Sequence, residues 1–525
     1  MTEAKEIVYE ETREKLLEGV NTLADVVAPT LGPKGLSVGL DSSWGAPKIT
    51  SDGHSVVGDV EMKNQFANMG VSLGKGVSDK IKDHSGDGTT TGIILLRELV
   101  RQGVKHIASG ASPILVKRGM EETVEAMIAE IEKSAKSVQD DAEIRNIATV
   151  SASGRADVGD SIDQAFSQVG KAGVITIEEG KGTETSVEVV KGMRFDRGYM
   201  SGYFVTDPEK QIAEIENPKI LITDKKISSI QEILPLLQNL LSSGTPLLII
   251  ADDIDGDALS TLVVNRLRGT LNVCAVKAPG FGDRKKALLE DIALMTGGIL
   301  ITEDAGFSLK DTSVEMLGSC AKAEVTKDHS TLIDGAGNED RIKARVKQLQ
   351  TEREAASNTY DKEKFDERIA KLTNGIAIIK VGAHTEPEMK HLKQLFEDSL
   401  NSTKAAVESG VVIGGGVALL HAMQKVKLDL KGDAKYGMEM VLKSAEAPFR
   451  QIVANSGHEP SVYLDEVLNG GENLGFDASC DNVVNLIEAN IVDPAKVVTN
   501  ALRFAASTAG VILLSEVLIG EADEE

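Results

Sequence analysis

Cysteine is nearly absent from this chain. Cys274, Cys320 and Cys480 are its only three in 525 residues, and no two form a CxxC pair. That excludes a disulfide framework and a structural zinc knuckle, and it fits a reducing compartment. Aromatic residues make up 3%, so the cores must rest on aliphatic packing. No apolar run reaches roughly 18 residues, so no transmembrane helix is expected. The opening MTEAKEIVYEETREKLLEG is acidic and has no apolar signal core, which makes the cytoplasm the expected location. Positive charge is in deficit: 57 Lys and Arg stand against 81 Asp and Glu, a net charge of −24. A chain this acidic is a poor partner for nucleic acid or anionic membrane. The histidines form no HxxxH pair and no GxSxG elbow occurs, which argues against zinc hydrolase and serine hydrolase chemistry.

What is present supports several packed domains. Apolar residues make up 41% and charged residues 26%, enough for sizeable cores over a length of three or four average domains. Residues 9–27 carry Leu16, Leu17, Val20, Leu23, Val26 and Val27 at helical spacing. Residues 89–103 and 113–136 read as further helices, the latter opened by Ser112-Pro113. Residues 434–456 and 495–518 read the same way, so the two helix-rich ends are expected to form one domain that the middle interrupts. In the middle, Lys219–Thr223, 246–251, 272–277 and 298–302 read as strands. Helical stretches at 228–241, 257–268 and 285–296 separate them. This alternation predicts an α/β domain with a largely parallel sheet. Residues 339–373 read as a charged helical hairpin.

The strongest local motif is Gly86-Asp87-Gly88-Thr89-Thr90-Thr91 at the opening of a helix. Free N–H groups at a helix N-terminus attract anions, glycines allow close approach, and an aspartate can hold Mg²⁺ beside phosphate. Read alone, the same residues also suit an ordinary N-cap. Thr30-Leu31-Gly32-Pro33-Lys34-Gly35 is a tight loop after a helix that suits either a nucleotide or a simple helix stop. Gly414-Gly415-Gly416 either admits a ligand or marks a tight turn. Gly70 to Gly76 is one residue short of a Walker A loop and reads as helix or loop. Asp52, Asp398 and Asp493 are acidic candidates that spacing alone does not separate from solvated surface carboxylates. Leu234, Leu237, Leu240 and Leu241 form one apolar stripe, and Leu259, Val263 and Val264 another. Such stripes either pack on a sheet or form a groove for apolar segments of other proteins.

Together these segments resemble the group I chaperonins, the bacterial GroEL family. The likeness runs from about residue 8 to 520. It is carried by TLGPKG at 30–35, DGTTTG at 87–92, KGMRFDRGYMSGYF at 191–204, VKAPGFGDRKKALLEDIA at 276–293, VESGVVIGGGVAL at 407–419 and DPAKV at 493–497. The resemblance implies a multidomain α and α/β chain: a helical equatorial domain at 1–133 and 409–525, a small α+β intermediate domain at 134–190 and 376–408, and an α/β apical domain at 191–375. It implies an ATP-dependent chaperone and ATPase that captures non-native proteins and folds them in a ring cavity. It further implies homo-oligomers of two stacked seven-membered rings and a GroES-type co-chaperonin as lid.

Residue by residue, it assigns nucleotide binding to Thr30, Leu31, Gly32, Pro33, Ser51, Asp87, Gly88, Thr89, Thr90, Thr91, Gly415, Asp477, Ala478 and Asp493. Asp87 would hold Mg²⁺, and Thr30 and Ser51 are the expected K⁺ ligands. Asp398 would position the attacking water, with Asp52 beside it. Tyr199, Tyr203, Phe204, Leu234, Leu237, Leu259, Val263 and Val264 would form the groove for clients and co-chaperonin. Gly192 and Gly375 would be hinges. Burying ~100 Å² of apolar surface in such a groove gives about 2.5 kcal/mol without any sequence code.

The chain also departs from the family. Ser51 stands where lysine is usual, Asp477 where asparagine is common, Ser137 where a hinge proline is usual and Trp44 where phenylalanine is usual. The chain ends in EADEE rather than a glycine-methionine tail. These departures support an alternative reading, a paralogue acting as holdase or scaffold with weak or absent ATP hydrolysis.

Overall fold

The computed structural model describes residues 5–9, 11–41, 48–138, 140–152, 154–171, 173–180, 182–208, 210–355 and 359–521. The chain divides into two compact units, Met1–Asp163 with Lys390–Glu525, and Gln164–Met389. The boundaries implied by resemblance lie elsewhere, at 133/134, 190/191, 375/376 and 408/409.

The first unit is built from long helices. Thr12–Val27 buries Leu16, Val20, Leu23 and Val27 on one face, the face that the periodicity marks. Gln65–Ser85 is capped by Asn64, whose side chain accepts from the N–H groups of Phe66 and Ala67; it absorbs the Gly70–Gly76 segment. Thr89–Ala108 and Pro113–Ser134 follow, and Ala434–Ser444, Ala447–Asn455 and Ala495–Leu514 return from the other end of the chain. Ala495–Leu514 is long and apolar enough by length and composition to cross a membrane, but 67% of its most apolar stretch is buried, as in a core helix. It packs in the same apolar core as the N-terminal helices. Short antiparallel strand pairs close the unit: Lys5–Val8 with Leu518–Glu521, Val38–Leu40 with Lys48–Thr50, Val411–Ile413 with Val492–Pro494, and Leu474–Asp477 with Asn482–Asn485.

The second unit holds an eight-stranded sheet. Lys219–Thr223, Leu247–Ala251, Val273–Lys277 and Leu300–Ile301 pair in parallel. Leu247–Ala251 is buried throughout, which is why it reads as one apolar run. The rest of the sheet corrects the expectation of a largely parallel one. Gly318–Val325, Ser330–Gly335, Gly192–Phe195 and Ala213–Glu216 join antiparallel, so the sheet is mixed. A separate three-stranded sheet sets Ile376–Val381 between Val174–Glu179 and Ser186–Val190. The expected helix at 228–241 is broken: a 3₁₀ turn, Ile230–Glu232, closed by a Ser229/Glu232 capping box, precedes the helix Leu234–Ser243.

The charged hairpin is present as Glu339–Ala355 and Thr359–Thr373. Its sequence is poor in apolar residues, and ions fasten it. Asp291, 1% exposed, accepts from Arg345 Nε at 3.1 Å and from Arg368 Nε and Nη2 at 2.7 and 3.0 Å. Removing the carboxylate takes from Arg368 its carboxylate partner and leaves Arg345 with Glu290 alone, in partly buried surroundings, so Asp291→Ala is expected to cost about 3–5 kcal/mol. Denaturant unfolding checks this, and an unchanged midpoint would show that the apolar contacts alone hold the hairpin.

Candidate functional site

The first unit gathers most of the residues that the resemblance assigns to nucleotide. Gly88 precedes the helix Thr89–Ala108 at φ 91°, a conformation that glycine adopts without strain, and no side chain caps the helix. The N-cap residue therefore gives the first N–H groups of this 20-residue helix no side-chain acceptor. A Cβ on Gly88 would lie 2.7 Å from Val497 Cγ1, so the loop also packs too closely for a side chain. Exposed Asp87 accepts from the Gly88 N–H at 2.6 Å. Thr89 is buried, and Thr90 Oγ1 lies 3.4 Å from Thr30 Oγ1.

Thr30 ends the 3₁₀ turn Ala28–Thr30, and its hydroxyl donates to Val27 O at 2.8 Å. Leu31, Gly32 and Pro33 continue the loop. Asn455 pins it by donating to Ala28 O and Leu31 O at 2.9 and 2.8 Å. Asp52 is the N-cap of the helix Gly53–Asp59 and accepts from Ser55 N and Ser55 Oγ at 2.9 and 2.6 Å. Ser51, beside it, is exposed.

Asp398 lies on the helix Glu386–Ser409, within the first unit. Its Oδ1 accepts from Lys82 Nζ at 2.6 Å, and Gln394 Nε2 donates to both its oxygens at 3.0 and 3.2 Å. Burial pushes Asp398 up to about 6, with the Lys82 charge pulling back and the Asp52 charge adding to the rise. Burial also acts to raise Asp52, yet Lys82 and the Ser55 bonds outweigh it and hold Asp52 below the usual carboxylate range. Lys82 is itself raised: burial opposes its charge, but Asp398, Asp52 and Asp87 together favour it.

Asp493 pairs across the short sheet with Val412. Burial pushes it up to about 7, the Asp87 charge adds to the rise, and a Gly415 backbone hydrogen bond opposes it. Asp87, Asp493 and Gly415 thus share one neighbourhood. Asp477 closes its own turn by accepting from Ser479 N and Oγ at 2.8 and 2.6 Å and from Cys480 Sγ at 3.4 Å. A carboxylate serves this turn as an acceptor, so aspartate fits here without needing to donate. Ala478 is buried next to it. Among the described residues no three His, Cys, Asp or Glu side chains cluster for a metal. One exposed carboxylate at Asp87 suits Mg²⁺, which binds through one or two carboxylates and substrate phosphates rather than a protein cage.

The groove residues divide. Tyr203, Leu234 and Val264 are 66%, 41% and 42% exposed, while Tyr199, Leu259 and Val263 are half-buried against the core. Two expectations need correction. Phe204 is fully buried and Leu237 is 5% exposed, so both support the surface from beneath and do not line it. On Leu234–Ser243 the inward face is Leu236, Leu237 and Leu240, and the outward face carries Leu234 and Leu241. The stripe read along the sequence therefore belongs to two faces. Of the glycines assigned as hinges, Gly192 begins a strand where a Cβ would lie 2.3 Å from Ile376 Cδ1, and Gly375 has φ 66°. Ser137 follows a bridge in which Lys136 and Val411 exchange hydrogen bonds of 2.9 and 2.8 Å. Trp44 and residues 522–525 lie outside the described residues.

Sequence reasoning missed Lys82, Gln394 and Asn455. Lys82 sits in the last turn of its helix, where a basic residue needs no explanation beyond the helix dipole. The signal that could have found Gln394 is its place one helical turn before Asp398.

The TCP-1/cpn60 chaperonin family model matches residues 23–522. The chain is also 56% identical over 527 residues to Chaperonin GroEL 3 of Protochlamydia amoebophila (strain UWE25), covering 100% of this chain and 99% of that protein. The chain belongs to the TCP-1/cpn60 chaperonin family. It is a group I bacterial chaperonin, a chaperone that promotes protein folding, and its helical and α/β units are those of the chaperonin fold. ATP dependence is general in this family, and so are oligomeric rings, client proteins and a co-chaperonin.

In this chaperonin Asn455 clamps the loop from Ala28 to Leu31 through its side chain. Asn455→Ala leaves Leu31 O to find another donor, while Ala28 O keeps the Leu31 N–H at 3.1 Å, and is expected to cost about 1–3 kcal/mol. Urea unfolding measures it, and stability within error of wild type would show that the loop holds its shape unaided.

Proposed function

We propose that this chaperonin is itself an ATPase that drives folding through the cluster of Asp52, Lys82, Asp87 and Asp398. One observation carries the reading: two carboxylates of opposite pKa tendency share a single ammonium near an uncapped helix N-terminus. ATP phosphates would lie against the N–H groups and hydroxyls of Thr89, Thr90 and Thr91, with Gly88 allowing close approach. Thr30 to Pro33 would border the nucleotide, as would Gly415, Asp477, Ala478 and Asp493. Asp87 would hold Mg²⁺, which supplies charge neutralisation to the phosphates when bound. Thr30 and Ser51 would offer oxygens to K⁺. Asp398, raised to about 6, is near the value that suits accepting or orienting a proton at neutral pH. Asp52 is its ionised partner.

The equatorial, intermediate and apical partition is proposed with the boundaries given above, and Gly192 and Gly375 as hinges. Two stacked seven-membered rings, a GroES-type lid and a cytoplasmic location are proposed on the same family grounds. The Ser51 and Asp477 departures motivate the second reading, a holdase with weak hydrolysis. Asp477 satisfied within its own turn and an ammonium already beside Asp398 favour the ATPase.

Asp398→Ala is expected to bind ATP with near-normal affinity and to lose about 10²-fold or more in turnover. Steady-state phosphate release beside equilibrium nucleotide binding measures both. Turnover at the wild-type rate would refute the role, and absence of turnover in both proteins, with the wild type folded and assembled, would favour the holdase. At the groove, Leu234→Ser and Val264→Ser are expected to keep stability within about 0.5 kcal/mol while weakening capture of an unfolded client. Phe204→Ala is expected to cost about 3–5 kcal/mol through a core cavity. Thermal unfolding and a client-aggregation assay separate the two effects, and equal loss of stability in all three variants would contradict the assignment of faces.

A further inference from the structure

Position 51 supplies no cation to the acidic pair. Ser51 is exposed and uncharged, and Asp52 turns directly into its helix. The cation arrives from another element. We propose that Lys82 is the positioning residue of the hydrolytic site: its ammonium, 2.6 Å from Asp398 Oδ1, holds that carboxylate ionised and aimed at the attacking water. The proposal rests on the reading of Asp398 given above.

The geometry constrains Asp398 from two sides. Gln394, one turn earlier on the same helix, donates to both carboxylate oxygens, and Lys82 reaches across from the helix Gln65–Ser85. The Lys82 and Asp398 side chains are 24% and 26% exposed, so solvent screens the pair only in part. Favourable interaction with the helix C-terminus accounts for a lysine in that turn. It does not account for a lysine whose Nζ is bonded to a carboxylate 316 residues away in sequence.

Several charges face this group. Lys82 and Asp52 act on Asp398, Asp52 and Asp87 act on Lys82, and His54 acts on Asp52. Even with the ammonium in place, burial keeps Asp398 up at about 6. Without it, the Asp52 charge still acts on Asp398 and pushes the same way as burial. The carboxyl then moves above 6 and holds a proton in a larger share of molecules at neutral pH. In that form it no longer accepts a proton from water.

The test is ATP turnover against pH for wild type, Lys82→Met and Lys82→Arg, with Asp398→Ala alongside. The wild-type rate should rise through an inflection near pH 6. Lys82→Met should lose about two-fold or more in kcat at pH 7, the fall in ionised fraction that a rise of about one pKa unit or more brings, with nucleotide affinity retained. Its inflection should move upward, so the deficit shrinks at higher pH. Lys82→Arg keeps the charge and should keep the low inflection. Wild-type kcat and inflection in Lys82→Met would overturn the proposal and leave the role of Asp398 standing. Full turnover in Asp398→Ala would overturn that role instead.

Thermal unfolding of the nucleotide-free protein supplies a readout that needs no hydrolysis. A carboxyl whose folded pKa is raised contributes stability that is present at low pH and lost as pH rises through the folded pKa. In Lys82→Met the loss should continue above pH 6, so its Tm falls further below wild type between pH 6 and 8. A gap that stays constant over that range contradicts the proposal.

Discussion

Two carboxylates cannot both stay ionised in a partly buried space without a cation beside them, and the candidate site in the first unit is built around that constraint. Asp398 and Asp52 come from segments almost 350 residues apart, and Lys82 answers both. The ammonium costs desolvation, which the two negative charges offset. The outcome is unequal: Asp52 is held low by Lys82 and its Ser55 hydrogen bonds, while burial leaves Asp398 raised to about 6. Environments that push two like groups apart are how one site assigns different roles to the same chemistry. The uncapped Thr89 end gives the cluster its complement, an anion-attracting helix terminus next to a carboxylate that suits a hard divalent cation.

The second unit solves a different problem. A chaperone surface must show apolar side chains to other proteins without losing its own core. The helix Leu234–Ser243 does this by dividing its leucines between two faces. Leu236, Leu237 and Leu240 anchor it, so Leu234 stays exposed at little cost to stability. Phe204, buried in the same core, neighbours exposed Tyr203 in sequence. Apolar contact has no directional code, so a surface of this kind suits many clients. On the proposed reading, ATP in one unit and client capture in the other are the two halves of a single cycle.

Much of this was legible in the sequence because the signals were local. The helices at both ends appear where apolar spacing marked them, and the parallel strands sit where buried apolar runs marked them. The antiparallel half of the large sheet was not legible. Gly318–Val325 pairs with the adjacent Ser330–Gly335 on one side and with the distant Ala213–Glu216 and Lys219–Thr223 on the other, and its burial alternates irregularly, so a window along the chain carries no clean period. The faces of the 234–241 stripe were hidden for another reason: leucine occurs on both sides, and periodicity then identifies a helix without orienting it. Asp87 to Thr91 could be read from their own spacing. Lys82 could not, since its partner is 316 residues away and its position has an adequate local explanation.

The account stands most directly on where nucleotide sits relative to these carboxylates. A structure of the assembled protein with Mg²⁺, ADP and aluminium fluoride, which mimics the phosphoryl group in transfer, would decide it. The account predicts the fluoride complex against the N–H groups of Thr89 to Thr91, the metal on Asp87, and Asp398 facing the axial water. A complex bound away from Thr89, or Asp398 turned from the axial position while turnover is normal, would contradict it.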